Sequence, residues 1–332
     1  ASLPTMDGDL SRLAADQHGV FFRDQALDCG YRDTEIARLV KAGSWVRLRR
    51  GAYATREAAE ADGATGLHVL TVRAATHQLS GLVVVTGASA LAVLGVPVWG
   101  VPLDRVHVHR EPSKSSRSEA GVSHHVGDLP DDQVLEVNGL FVAAPAWALV
   151  TAARTSSFEA GVVMADGVRR IHQVDVAELK EVAECQRDWA GSVKANRVID
   201  FSDPRAATVG ESRGRVLIAR LGLPAPDLQR RIDDSDGGLL GFSDFYFDEY
   251  RTAGEFDGRQ KYGRALYERT GRLDQVDLGE VLWQEKRRED AIRDHGHEVV
   301  RFVWSELDGR DSLVRARFLR AFDRGARRRT AL

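Results

Sequence analysis

Asp244, Glu255 and Asp257 fall in the stretch from Phe242 to Tyr262, FSDFYFDEYRTAGEFDGRQKY, at spacings that bring carboxylates face to face. The stretch reads as two short strands joined by a loop from Asp248 to Arg251, so that Phe247 pairs with Thr252. Asp244 then stands opposite Glu255, and alternation along the strand puts Asp257 on the same face. Phe245, Phe247 and Phe256 take the other face, which becomes the core side. Carboxylates opposed across a hairpin lie about 4.5–5.5 Å apart at Cβ and repel one another. Such a pair needs a counter-charge, and a hard divalent cation held by carboxylate oxygens is one way to supply it. A solvated acidic face with no task fits the same spacing, and these residues alone leave both open.

A chain of 332 residues has room for two or three domains to position that hairpin. Its 43% apolar and 29% charged residues suit packed, water-soluble cores. There is no run of apolar residues long enough to span a bilayer. The opening ASLPTMDGDL lacks the basic and apolar regions of a signal peptide. Cys29 and Cys185 are single and far apart, which argues against a zinc cluster or a disulfide framework and suits a reducing cytoplasm. The net charge of −3 makes no case for nucleic acid. The distribution does, since basic residues gather at Arg47, Arg49 and Arg50, at Lys286 to Arg288, and from Arg315 to Arg329. The last of these groups reads as a solvated helix face.

The first fifty-five residues suggest three short helices and a hairpin. Leu10, Leu13 and Ala14 mark the first helix, stopped at His18-Gly19. Arg23 to Cys29 forms the second, capped by Gly30. Asp33-Thr34-Glu35 opens the third, which carries Ile36, Leu39 and Val40 inward and stops at Gly43. SWVRLRRGAYA then alternates as a hairpin with its bend near Arg50-Gly51. Three helices and a basic hairpin make a winged helix-turn-helix, in which the third helix enters the major groove and wing arginines meet phosphates. The expected DNA contacts are Arg32, Arg38 and Lys41 on the helix and Arg47, Arg49 and Arg50 on the wing. The same fold can serve as a scaffold or a protein-contact module. The segment GVFFRDQALDCGYRDTEIARLVKAGSWVRLRRGAYA, above all its closing RLRRGAY, resembles the N-terminal domain of the AbiEi family of antitoxin-type transcriptional regulators.

The middle of the chain reads as mixed α+β. Helices are expected over Leu67–Leu79 and Ala88–Leu94, flanking a strand Leu82–Thr86. Strands follow at Arg105–His109 and Gly121–Val126, with a hairpin about Asn138-Gly139 and a helix opened by Pro145. Three further helices follow, over Phe158–Arg169, Val174–Gln186 and Ser192–Asp200. TGASALAVLG lacks the Gly-Lys-Ser/Thr of a phosphate-binding loop. His107, His109, His124 and His125 have no carboxylate or cysteine at ligand spacing, which argues against a metal there. This region also resembles the segment that follows the winged helix in AbiEi-like proteins.

After Ala206 the order is helix, strand, strand, strand, helix, strand, helix. GESRGR, the acidic hairpin and EKRREDAIRDHGHEVVRFVWSEL occur in that order, and residues from about 206 to 325 resemble the very-short-patch-repair-like endonucleases of the PD-(D/E)xK superfamily. The resemblance implies a restriction-endonuclease-like α/β domain with Glu211, Asp244, Glu255 and Asp257 as its acids. It also implies Mg²⁺ or Mn²⁺ at Asp244, Glu255 and Asp257. The sequence departs from the superfamily where Glu-x-Lys is wanted, because it reads Glu255-Phe256-Asp257. Lys261, Gln260, or Lys286 from the next helix, could fill the place of the missing lysine.

The expected fold is therefore a multidomain mixture of α+β and α/β parts: a winged helix over residues 1–56, an α+β region over 57–203 and a nuclease-like domain over 204–332. Two functions follow from it, both in the cytoplasm with DNA as partner and no membrane. One is a metal-dependent DNA endonuclease. The other is an antitoxin-type regulator with an inactive nuclease fold, partnered by a cognate toxin or a second copy of itself.

Overall fold

The computed structural model describes residues 6–110, 117–234, 236–258 and 278–330. Gln260, Lys261 and Tyr262 lie outside them. The chain forms two compact units, Ala1–Ser202 and Asp203–Leu332.

In the first unit, α1 (Gly8–Asp16), β1 (Val20–Phe22), α2 (Arg23–Asp28), α3 (Asp33–Lys41), β2 (Trp45–Arg49) and β3 (Ala52–Thr55) form the expected winged helix. The strand β1 was not legible as a strand. It pairs antiparallel with β3 and gives the sheet order β1-β3-β2. Local chemistry sets the ends of α3. The Glu35 carboxylate accepts the Arg32 N–H at 3.0 Å, and Gly43, at φ 74°, supplies the left-handed turn that stops it. Its inward side chains, Ile36 and Leu39, join Leu10, Phe21, Trp45 and Tyr53 in one core.

The middle elements are α4 (Arg56–Glu60), α5 (Gly63–Gln78), β4 (Val84–Val85), α6 (Gly87–Val93), β5 (Val106–His109), β6 (Arg117–Glu119), β7 (Val122–His125), β8 (Val134–Val137) and β9 (Leu140–Ala143). They form a mixed sheet in the order β6-β7-β5-β4-β9-β8. Asn138 and Gly139 both have positive φ, 48° and 76°, as the tight β8–β9 turn requires. Helices α7 (Pro145–Thr155), α8 (Phe158–Ile171), α9 (Val176–Cys185) and α10 (Ser192–Phe201) complete the unit. Leu70 and Ala74 of α5 pack on Val20, Phe22, Ala52 and Ala54, so the wing sheet shares its core with the middle region.

The second unit runs α11 (Val209–Arg220), β10 (Asp227–Asp233), β11 (Leu239–Phe247), β12 (Thr252–Asp257), α12 (Leu278–Asp294), β13 (Glu298–Val303), α13 (Trp304–Leu307) and α14 (Asp311–Thr330). Apart from the short α13, this is the expected order. The sheet order is β10-β11-β12-β13. The first three strands are antiparallel neighbours, and β13 joins β12 in parallel. A parallel neighbour needs a crossover, and α12 lies within it. One sheet face carries Phe245, Phe247, Phe256 and Phe302 into a core with α11 and α14. On the other, Ile292 of α12 packs on Tyr246, Ala253 and Val299.

Gly214 of α11 sits directly on the aromatic layer, where an added Cβ would come 2.7 Å from Phe245 Cζ and 3.0 Å from Phe302 Cζ. Alanine is about 1 kcal/mol better than glycine in a helix interior, so Gly214→Ala separates propensity from packing. We expect it to destabilise the second unit by about 1–3 kcal/mol in chemical denaturation of the full chain. A stabilised variant would show that the helix does not seat this closely.

Candidate functional site

The α3 helix presents the first candidate surface. At 3.6 residues per turn, Thr34, Ala37, Arg38 and Lys41 share a face, and all are exposed. Arg32, also exposed, stands at the leading end of that face. Its neighbour Asp33 is not an open anion, because Arg23 Nη2 lies 2.5 Å from its Oδ2. On the wing, Arg47 and Arg50 are exposed. Arg49 is a correction to the expected contact set. Its Nη2 donates to Ala120 O at 3.1 Å, and burial pushes the guanidinium pKa down. Arg49 therefore ties the wing to the β6–β7 turn instead of facing outward.

The second candidate is the acidic face of the β11–β12 hairpin. Phe247 pairs with Thr252 and Phe245 with Gly254, so the expected register is present. Three of the four expected carboxylates, however, are already engaged. Asp244 Oδ2 accepts the Phe256 N–H at 2.9 Å. Glu255, only 7% exposed, is gripped by Arg288 Nη2 at 2.8 Å and Arg301 Nη2 at 3.1 Å. Glu211, 2% exposed, serves the start of its own helix. Its Oε2 accepts the Ala207 N–H at 2.9 Å and its Oε1 accepts the Thr208 hydroxyl at 3.0 Å. Asp257, half-buried, closes β12 beside Val303 of β13.

At Glu255 the counter-charge that opposed acids need is thus supplied by arginine. Among the described residues no group of three or more His, Cys, Asp or Glu side chains is placed to hold a metal ion. As arranged, the donor set does not fit the expected Mg²⁺ or Mn²⁺. Lys286 is exposed and lies roughly 200° around α12 from Arg288, two residues on. The side chain that α12 sends to Glu255 is therefore Arg288, and Lys286 does not share its face of the helix. Lys261 lies outside the described residues.

Three participants had not been anticipated. Arg301 stands directly across the β12–β13 ladder from Glu255, and a lone arginine inside the apolar strand EVVRFV was a sign that it would need an acid. Arg288 could not be found without knowing how α12 lies on the sheet. Gln229 gave no local sign at all. Its φ is 51°, a costly left-handed value inside a strand. Its amide donates to Glu211 Oε2 at 2.8 Å and to Asp244 Oδ1 at 3.5 Å. One strained side chain thereby links two of the expected acids.

Removing both guanidinium groups leaves Glu255 buried without its counter-charge, whereas removing Glu255 leaves arginines that already reach solvent. Arg288→Ala with Arg301→Ala should therefore destabilise the second unit by about 3–5 kcal/mol, and Glu255→Ala by less. Chemical denaturation of the variants measures the order, and the reverse order would contradict the clamp.

With this geometry described, similarity to known proteins can be placed on it. Residues 9–56 match the family model described as "Transcriptional regulator, AbiEi antitoxin". Two Mycobacterium tuberculosis proteins, both named as uncharacterized, are 26% identical over 289 residues, covering 86% of this chain and 95% of each relative. They are MT2308 of strain CDC 1551 / Oshkosh and Rv2248 of strain ATCC 25618 / H37Rv. A crystal structure of the RV2827C protein from the same organism aligns at TM-score 0.39 and 18% identity, over 60% of this chain and 78% of that one. The N-terminal winged helix is the part that matches AbiEi antitoxin-type transcriptional regulators.

Proposed function

We propose that this protein is a DNA-binding regulator of the AbiEi antitoxin type. The observation that carries the proposal is the exposed α3 face, with Arg38 and Lys41 around the small Thr34 and Ala37, on a winged helix that matches that family. Small central residues let a helix approach base edges while flanking cations meet the backbone. Arg47 and Arg50 hold phosphates from the wing. The partners in this reading are DNA and either a cognate toxin or a second copy of the chain, in the cytoplasm. The division at 56 and 203 belongs to the same proposal. Among the described residues no helix is long and apolar enough to cross a membrane.

A second reading, a metal-dependent endonuclease, is favoured by one observation: the strained Gln229 that couples Glu211 to Asp244. The element order of the second unit supports a restriction-endonuclease-like domain. To act, that domain would have to exchange Arg288 and Arg301 at Glu255 for Mg²⁺ or Mn²⁺. The regulator reading asks for no such exchange.

Gel-shift titrations against DNA upstream of the protein's own gene test the first reading. Arg38→Ala should weaken binding by about 1–3 kcal/mol if it reads a base, or lower the salt slope by about one if it meets a phosphate. Arg49→Ala should leave the slope unchanged. Full affinity in an Arg38→Ala, Lys41→Ala double variant would remove α3 from the interface.

The two readings also part on metal. We expect the thermal midpoint to be the same with MgCl₂ as with NaCl at matched ionic strength, and no cleavage of double- or single-stranded DNA. A rise in midpoint lost in Asp244→Asn, with Mg²⁺-dependent cleavage lost in Glu255→Ala, would establish the nuclease instead.

A further inference from the structure

Neither reading uses a cavity of about 430 Å³ in the first unit. Its walls are the loop Gly100 to Arg105, the start of α6, the junction of α7 and α8, and the strands β5 and β7. His107 and His125 project into this wall from those neighbouring strands. His107 Nδ1 and His125 Nε2 lie 2.8 Å apart, so one ring donates and the other accepts. One nitrogen of each ring remains outside that bond. The pair is held from behind. Ser89 Oγ accepts the His107 N–H at 2.9 Å and bonds His68 Nε2 at 2.9 Å, while His68 Nδ1 meets Leu103 O at 3.0 Å.

Two further groups converge on the same space. Ser156 is part of the cavity wall, and its hydroxyl is buried without a hydrogen-bond partner among the described residues. An orphan of that kind is costly unless a ligand or water completes it. Arg105 lies at the exposed rim with a guanidinium. The remaining wall is of small residues, the apolar Ala88, Val101 and Ala152 beside Thr151, Thr155 and Ser157. The volume falls within the usual range for small-molecule sites, and the mixture of a mainly apolar wall with a few convergent polar groups is their usual make-up.

We propose that this cavity binds a small molecule through one oxyanion group, a carboxylate or a phosphoryl, received by the one N–H that the His107–His125 pair has left, by Ser156 and by Arg105. Imidazole N–H, hydroxyl and guanidinium are all donors to anionic oxygen. Asp104, on the same rim, repels further negative charge and so favours a ligand with a single anionic end. A metal is the poorer match, because the two rings spend a nitrogen each on one another. Burial lowers the pKa of both rings, helped at His107 by His68 and at His125 by His107, and takes that of His125 to about 4. Two neutral rings that share one hydrogen bond keep a single N–H between them, so one ring offers the anion a donor while the other presents a lone pair. Asp104 also borders a second hollow beneath Leu48, Arg49 and Arg50 of the wing, which makes the cavity a candidate effector site. The proposal stands apart from the DNA-binding reading and survives its failure.

The test uses the full chain and two probes, sodium sulfate for a phosphoryl group and sodium acetate for a carboxylate, each against sodium chloride at matched ionic strength. Long-range ¹H–¹⁵N spectra follow the histidine rings. We expect saturable shifts of His107 and His125 with at least one probe, and the probe that saturates names the oxyanion. Ser156→Ala and His125→Phe should weaken that binding about tenfold or more, the loss expected for one hydrogen bond to a charged group. Ser156→Ala removes a hydroxyl with no internal partner, so it keeps the test readable should His125→Phe fail to fold. Rings that shift with neither probe, or shift equally in wild type and Ser156→Ala, would overturn the proposal.

Discussion

A carboxylate taken out of water must find a cation or a set of hydrogen-bond donors, and the second unit is built around that requirement. Glu255 is held by Arg288 and Arg301. Glu298, 4% exposed, is held by Arg324 at 2.7 Å and Arg328 at 3.2 Å. Arg213, itself almost fully buried, reaches Asp308 at 2.6 Å. Each pair joins different elements: β12 to α12 and β13, β13 to α14, and α11 to the loop before α14. Desolvation offsets most of the Coulombic gain in such pairs, so their chief effect is on which arrangement is allowed. A slip of β13 by one residue would turn Arg301 to the wrong face of the sheet and leave Glu255 without half its clamp.

The same constraint revises the meaning of the acidic hairpin. Its opposed carboxylates invite a divalent cation only while their other neighbours are unknown. Once α12 and β13 are in place, guanidinium groups stand where the cation was expected. The basic C-terminal helix changes in the same way. Its arginines suggested a solvated face, yet Arg324 and Arg328 serve Glu298, and Arg315 Nε donates to Leu221 O at 3.0 Å. Charge visible in the sequence as a surface property is here partly spent inside. Among the cations that face water in the first unit are Arg32, Arg38, Lys41, Arg47 and Arg50, on which the proposed DNA contact rests.

In the first unit the polar groups that tie β5 to its neighbouring helices are neutral. His68, Ser89 and His107 form a hydrogen-bonded line that fixes β5 against α5 and α6, and burial keeps the rings uncharged. A buried imidazole costs little when it can be neutral, which a carboxylate at ordinary pH cannot.

The sequence by itself determined the local features of this protein. The caps and stops of α3, the Asn138-Gly139 turn, Pro145 at the start of α7 and the alternation in Phe242–Asp257 all follow from backbone preferences within a few residues. So do the element order of the second unit and the winged helix, except for β1, too short to show a period. Tertiary structure alone decided which charges meet. Arg288 lies thirty-three residues from Glu255, and Gln229 eighteen from Glu211, so no spacing rule connects them. Arg49 and its neighbour Arg50 are the same residue type, yet one turns inward to Ala120 and the other faces solvent. Local periodicity is a property of neighbouring peptides. Whether a carboxylate meets a metal, water or an arginine is a property of the sheet and helix folded over it.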